Sequence, residues 1–398
     1  MLTLSRLMLW LIGLGLIGVA ACTGYGPDAA PTASPGADRP IRPTTTSAPV
    51  EDRPAFSTAG WKTDFKKHNV PFAQIVSGGV PRDGIPPIYK PKHEDVQRAD
   101  SWLVAEEPVV FLELDGEARA YPLRILIWHE IVSDSVGGIP VAVTYCPLCN
   151  TAVVFDRRLD GVTLDFGVSG MLRNSDLIMW DHQTESWWQQ ATGEAIVGEH
   201  TGKLLSFQPS AIVSWKDFKT SFPQGQVLSQ DTGYGRAYGT NPYVGYDSSR
   251  RPFLFNGEVD SRLPALERVI GATIDGQSVA YPFTSLAKAG VINDTMAGRP
   301  LVVIYSQGTV SALDQSSIAR SREAGAAGVY DPVVRGETLV FELRDGRITD
   351  VKTSSTWNVL GKAVEGPLAG KSLKPVLHGT HFWFAWAAFN PDTRVYGR

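Results

Sequence analysis

Apolar positions along the chain fall in short runs, broken by Gly, Pro, Asn and Asp roughly every ten residues. That spacing predicts many short strands and few helices. Residues 141–145 are apolar and β-branched and predict a buried strand, and residues 151–155 predict the next one. Cys146-Pro147-Leu148-Cys149-Asn150 forms the turn between them. Pro147 fixes φ just after the first sulfur, and Asn150 tolerates the left-handed region just after the second. Helical spacing is confined to residues 123–132 and 214–221, the latter stopped by Pro223. The expected class is α+β and predominantly β, with two tandem homologous β-rich domains and short helices.

The pattern changes at the N-terminus. Arg6 is the one charge before a run from 7 to 21 that is apolar and uncharged. The run is too short for a comfortable membrane span and closes on Val19-Ala20-Ala21-Cys22. It resembles a bacterial lipoprotein signal, which implies lipidation at Cys22 and a membrane partner through that anchor, on the extracytoplasmic face. Residues 23–58 are rich in Pro, Thr, Ser, Ala and Gly and predict a disordered linker, with a reach on the order of 100 Å if extended. The remaining chain divides into an N-terminal domain, 59–250, and a C-terminal domain, 251–398. A net charge of −4 and the absence of a basic run exclude nucleic acid as the expected partner.

A duplication underlies that division. Asp115-Gly116, Ala120-Tyr121-Pro122, Asp134, Gly138, Pro140, Val143 and Tyr145 recur at a constant offset. The second set is Asp275-Gly276, Ala280-Tyr281-Pro282, Asp294, Gly298, Pro300, Val303 and Tyr305. Further on, Thr184-Glu185-Ser186-Trp187 aligns with Ser354-Ser355-Thr356-Trp357. Residues common to both copies serve the fold, so Asp134, matched by Asp294, is expected at a turn or cap. Residues present once are candidates for chemistry. At the same offset His129, Cys146 and Cys149 are replaced by Ala289, Ser306 and Thr309.

The chain has three cysteines, and with Cys22 lipidated only Cys146 and Cys149 remain as thiols. A metal is one reading. Two thiolates and His129 suit zinc or copper and leave a position open, the pattern of a catalytic site. Met171, Met179 or His182 would supply a further ligand, and Glu130 or Asp181 would handle protons. A Cys-x-x-Cys thiol–disulfide protein is the second reading, although such motifs feed a helix and here a strand follows. A pair of inert buried thiols is the third.

Ser169, Arg173, Asp176, Asp181, His182, Gln183 and Glu185 form a polar run that lines a cleft or caps strands. Residues 231–246 alternate Tyr with Gly, as an aromatic lid, a carbohydrate platform or an inter-domain loop would. That stretch supports a third function class, a non-catalytic ligand-binding module. His378 and His381 lack a surrounding ligand cluster and read as surface or core histidines.

Ala120-Tyr121-Pro122, Trp128-His129-Glu130-Ile131, the block from Val143 to Cys149, Phe166-Gly167-x-Ser169-Gly170, Thr184-Glu185-Ser186-Trp187 and Asp231-Thr232-Gly233-Tyr234 carry a family resemblance. They resemble the uncharacterised prokaryotic family catalogued as domain of unknown function 3179. The resemblance implies a name and no activity. Asp181-His182 departs from the Asp-Arg expected there.

Overall fold

A computed structural model describes residues 52–398. Its regular structure begins from tight hairpins. Asp115 and Gly116 take φ of 47° and 79°, which a two-residue type I′ turn requires. They join β1 (Pro108–Leu114) to β2 (Glu117–Pro122). Helix α1 (Leu123–His129) follows. It ends short of the expected 132 because Glu130 turns to a φ of 58° and sends the chain into a strand.

The first copy continues with β3 (Ile131–Val136), β4 (Ile139–Cys146), β5 (Thr151–Asp156), β6 (Phe166–Arg173) and β7 (Asp176–Asp181). Then come β8 (Trp187–Gln189), β9 (Ala195–Val197), β10 (Ser206–Gln208), β11 (Ser210–Ser214), α2 (Trp215–Ser221) and β12 (Gln226–Leu228). Ser214 caps α2 through its side chain, accepting from the Asp217 N–H at 2.9 Å. The strands pair in three antiparallel-rich sheets, in the orders β11-β1-β2-β12, β10-β5-β4-β3 and β6-β7-β8-β9.

The second copy repeats that plan. It comprises β13 (Arg268–Ile274), β14 (Gln277–Pro282), α3 (Phe283–Ala289), β15 (Val291–Met296), β16 (Arg299–Ser306) and β17 (Ala326–Asp331). It goes on through β18 (Phe341–Arg344), β19 (Arg347–Asp350), β20 (Thr356–Trp357), β21 (Ala363–Glu365) and β22 (Lys374–Pro375). It closes with β23 (His378–Phe382), α4 (Trp383–Phe389) and β24 (Arg394–Val395). The sheet orders β23-β13-β14-β24, β22-β17-β16-β15 and β18-β19-β20-β21 match the first copy, two of whose sheets each gain one further edge strand, His93–Asp95 beside β12 and Ile75–Ser77 beside β6. The described residues are predominantly β, with helices of at most seven residues among them.

The copies share their packing. One buried cluster joins Cys146, Cys149, Tyr145 and Phe155 to Leu313, Phe382 and Phe384. Another joins Val213, Trp215 and Phe218 to Val302, Ile304 and Trp357. Residues 52–398 accordingly form one compact unit.

Two expectations about framework residues change. Asp134 is at no turn or cap. It lies within β3, buried, and accepts from Tyr121 Oη (2.7 Å) and Arg119 Nη1 (2.7 Å) while hydrogen-bonding His93 Nε2 (2.8 Å). Asp294 repeats this with Tyr281 (2.8 Å) and Arg394 (2.5 Å). The tryptophan alignment also shifts by one residue. Trp188 Nε1 donates to Asp181 Oδ2 at 2.8 Å, and Trp357 Nε1 donates to Asp350 Oδ2 at 3.1 Å. Trp357 is therefore the partner of Trp188 and not of Trp187.

Candidate metal centre

The cysteine turn is held from several sides. Cys146 closes β4 opposite Thr151 of β5. Asn150 takes φ 48°, and its N–H reaches Pro147 O at 3.2 Å. Two of the turn's carbonyls take further donors. Leu148 O accepts from Tyr246 Oη (2.9 Å), and Cys149 O accepts from the Phe382 N–H (2.8 Å) and Thr151 Oγ1 (3.2 Å). Both cysteines are buried and free, and both thiols point at Ser175 O, at 3.8 and 3.4 Å.

Ser175 and Asp176 arrive there on the β6–β7 hairpin. Asn174 and Ser175 turn it at φ 52° and 63°. The strands are eight and six residues long, whereas β18 and β19 of the second copy have four each. The extra length carries the tip to the sulfurs. Cys146 Sγ, Cys149 Sγ and a carboxylate oxygen of Asp176 lie within 4.8 Å of one another. Asp176 Oδ2 accepts from Gln189 Nε2 (2.6 Å) and the Ala191 N–H (2.9 Å). Oδ1 is buried and has no hydrogen-bond partner.

Burial sets the protonation of the cluster. It pushes the Asp176 carboxyl up to about 6, against the Ala191 and Gln189 donors on Oδ2 and the neighbouring Cys149 and Cys146 thiols. It raises both thiols, Cys149 well above the ordinary thiol value. Each direction expresses the cost of negative charge in an apolar pocket that a cation would offset.

Glu130 borders the same pocket. Its φ of 58° and ψ of −31° are those of a residue without a side chain, and its counterpart Gly290 has φ 70° and ψ −43°. The backbone contacts match too. Tyr145 N–H donates to Glu130 O at 2.8 Å, and Tyr305 N–H donates to Gly290 O at 2.9 Å. The fold is thus served by glycine, and the first copy carries a glutamate at a strained position instead. Burial first, and the nearby Asp176 second, push the Glu130 carboxyl up to about 8. It is a proton-carrying acid at neutral pH.

The remaining candidates are placed elsewhere. His129 is buried but is not among the clustered ligands. Its Nδ1 meets Pro86 O at 2.7 Å and its Nε2 meets Tyr238 Oη at 2.6 Å. Burial lowers its pKa. Asp181 is buried at the end of β7, accepting from Thr184 N–H (2.6 Å), Thr184 Oγ1 (3.0 Å) and Trp188. Asp350, Thr353 and Trp357 rebuild that arrangement in the second copy, which makes it framework. His182 stacks on Trp180 at 4.3 Å and bonds Tyr89 Oη at 2.8 Å. Met179 is core, and Met171 packs with the aromatic group around Phe72 and Trp187.

Glu185 binds Arg82 and the Lys62 N–H, Ser169 Oγ donates to Ile178 O, and Arg173 reaches Gln74. Gln183 Oε1 accepts from the Asp165 N–H. In the tyrosine-rich stretch, Tyr243 and Tyr246 pack against the cluster that contains both cysteines. Cys22 lies outside the described residues. Asp176 stood in the polar run, but its place beside the sulfurs follows from hairpin length. The residues by which the first copy's hairpin exceeds the second's are the sequence signal for it.

Residues 82–393 match the family described as protein of unknown function (DUF3179). A repeated, predominantly β framework with one buried thiol–carboxylate cluster is what that stretch builds here, and the chain belongs to this family. No curated protein and no solved structure matches it.

Proposed function

We propose that Cys146, Cys149 and Asp176 hold a single zinc or copper ion in an exported, lipid-anchored protein, and that Glu130 serves the ion's open position. The observation that carries this reading is Asp176 Oδ1, a fully buried acceptor left unpartnered beside two sulfurs. An orphaned buried carboxylate oxygen is costly unless something binds it. Thiolates favour zinc or copper over hard cations. Three protein ligands leave one position for water or a substrate oxygen, and bound metal lowers the pKa of such a water. Glu130, which carries a proton at neutral pH, would donate it to a group bound there and would accept one only after ionising. Asp181, with its oxygens committed to the turn, takes no part.

The competing thiol–disulfide reading needs an accessible, acidic thiol. Here both thiols are buried and raised, which favours the metal. Elemental analysis of the untagged full chain tests the proposal. Close to one equivalent of zinc or copper is expected. It should be lost in Cys146→Ser and in Asp176→Asn, which keeps shape but removes the charge. A metal-free wild type with a Cys146–Cys149 disulfide in its mass spectrum overturns it.

A further inference from the structure

The connection that carries the cysteines in the first copy, residues 147–150, has a much longer counterpart in the second. Cys146 pairs with Thr151 across the short one, and Ser306 pairs with Ala326 across residues 307–325. The long loop reaches out of its own copy. Its Ala312 and Leu313 are buried in the cluster that holds both sulfurs. Its backbone binds the tyrosine-rich segment of the first copy. The Asn241 N–H donates to Ser316 O (2.8 Å), the Gly245 N–H to Asp314 O (2.7 Å) and the Ile318 N–H to Gly239 O (3.0 Å). Asn241 Nδ2 donates to Gln315 O at 3.2 Å, and Asp247 is held by Arg322 and Ser311.

His129 and Trp128 fasten the segment at its other end. His129 Nδ1 meets Pro86 O, so Nδ1 carries the proton and Nε2 accepts from Tyr238 Oη. Trp128 Nε1 donates to Thr240 O at 3.1 Å. Between the two fastenings, Tyr243 packs against the cluster of Cys146 and Cys149, and its N–H donates to Asn241 Oδ1 at 2.7 Å. The neighbouring Tyr145 and Tyr246 spend their hydroxyls on Asn150 Oδ1 and Leu148 O. Tyr243 Oη has no hydrogen-bond partner among the described residues and keeps accessible surface. Burial first, then the charges of Glu130 and Cys146, raise its pKa, so it is a donor. A hydroxyl that served only the packing would be satisfied within it. This one is held from two sides beside the sulfurs with its hydrogen unspent.

We propose that Tyr243 faces the open position of the ion on Cys146, Cys149 and Asp176, and donates its hydroxyl hydrogen to the oxygen of a small neutral ligand of the carbonyl or amide class. His129, Asn241 and residues 307–325 are its positioning residues, so the second copy completes the site of the first. Two thiolates and a carboxylate already outweigh the charge of a divalent ion, which disfavours a further anion there. The proposal rests on the metal reading and assigns what that site takes.

The full chain loaded with cobalt(II), a spectroscopic stand-in for zinc, tests this by titration with formamide and with acetonitrile. Formamide keeps a lone pair on its coordinating oxygen, whereas acetonitrile spends its only one on the ion. The visible bands of cobalt report both. Tyr243→Phe should weaken formamide about tenfold, change acetonitrile by less than about twofold, and leave the cobalt content unchanged. Asn241→Ala, which cuts the hold on the Tyr243 N–H, should weaken formamide in the wild type but not in the Tyr243→Phe background. Bound cobalt with formamide indifferent to Tyr243→Phe overturns the proposal and leaves the metal site standing, as does bound cobalt that neither probe perturbs. A chain that binds no cobalt removes the metal reading and this one together. An Asn241→Ala loss equally large in both backgrounds overturns the positioning role. If Asn241→Ala does not fold, His129→Ala in the same two backgrounds takes its place.

Discussion

Glu130 and Gly290 occupy the same backbone conformation in the two copies, and only one of them is suited to it. A side chain at such a φ costs on the order of 1 kcal/mol or more. Glu130→Ala and Glu130→Gly both remove the carboxyl, but only glycine relieves the strain. Chemical denaturation should therefore find Glu130→Gly more stable than Glu130→Ala by about 1 kcal/mol. Equal stabilities would mean that position 130 carries no strain. Asp176 is the companion case. Its fold-serving contacts go through Oδ2, which leaves Oδ1 to whatever binds beside the sulfurs.

Among the elements, hairpin length separates the copies. The β6–β7 hairpin reaches the cysteine turn, and the shorter β18–β19 hairpin has no such turn to reach. Beyond that tip the two hairpins are braced alike, by a buried aspartate that holds a threonine and an indole. Trp188→Phe and Trp357→Phe should each cost about 2 kcal/mol by leaving that acceptor short of a donor. A large difference between them, measured by urea unfolding, would give Asp181 a role beyond bracing.

The β3 aspartate has a pH signature. Burial works against ionisation of Asp134, but the bonds and charges of His93, Tyr121 and Arg119 outweigh it. They lower its pKa from 3.8 to about 2. A depressed carboxylate stabilises the fold above its unfolded pKa, and that contribution is lost as pH falls through the folded one. Stability should thus drop by about 2 kcal/mol between roughly pH 4 and pH 2, and Asp134→Asn should flatten that part of the curve.

Across the molecule the copies act as one body, because their buried clusters draw on both. Calorimetry of the folded region should give a single unfolding transition that Trp357→Phe shifts as a whole. Two separable transitions would contradict a shared core. No helix among the described residues is long and apolar enough to cross a membrane. The proposed membrane attachment runs through Cys22, which lies outside the described residues. Cys22→Ala should abolish labelling by radioactive palmitate and release the protein from the membrane fraction.

The strands on either side of the cysteine turn, the duplication and the predominance of β structure were all legible in the residue pattern. They depend on local alternation, turn chemistry and repetition, which adjacent residues carry by themselves. The sulfur pair was legible for the same reason, since Pro147 and Asn150 shape its turn within five residues. The third partner was not. His129 is close in sequence, yet α1 hands its ring to Pro86 and Tyr238. Asp176 is distant in sequence, yet a long hairpin delivers it. The pairing of Gly271 with Gly379 also needed the folded chain, because the register of β13 on β23 sets two separated glycines face to face. Which side chains converge is decided by strand length and register, and those are settled only when the sheets pack.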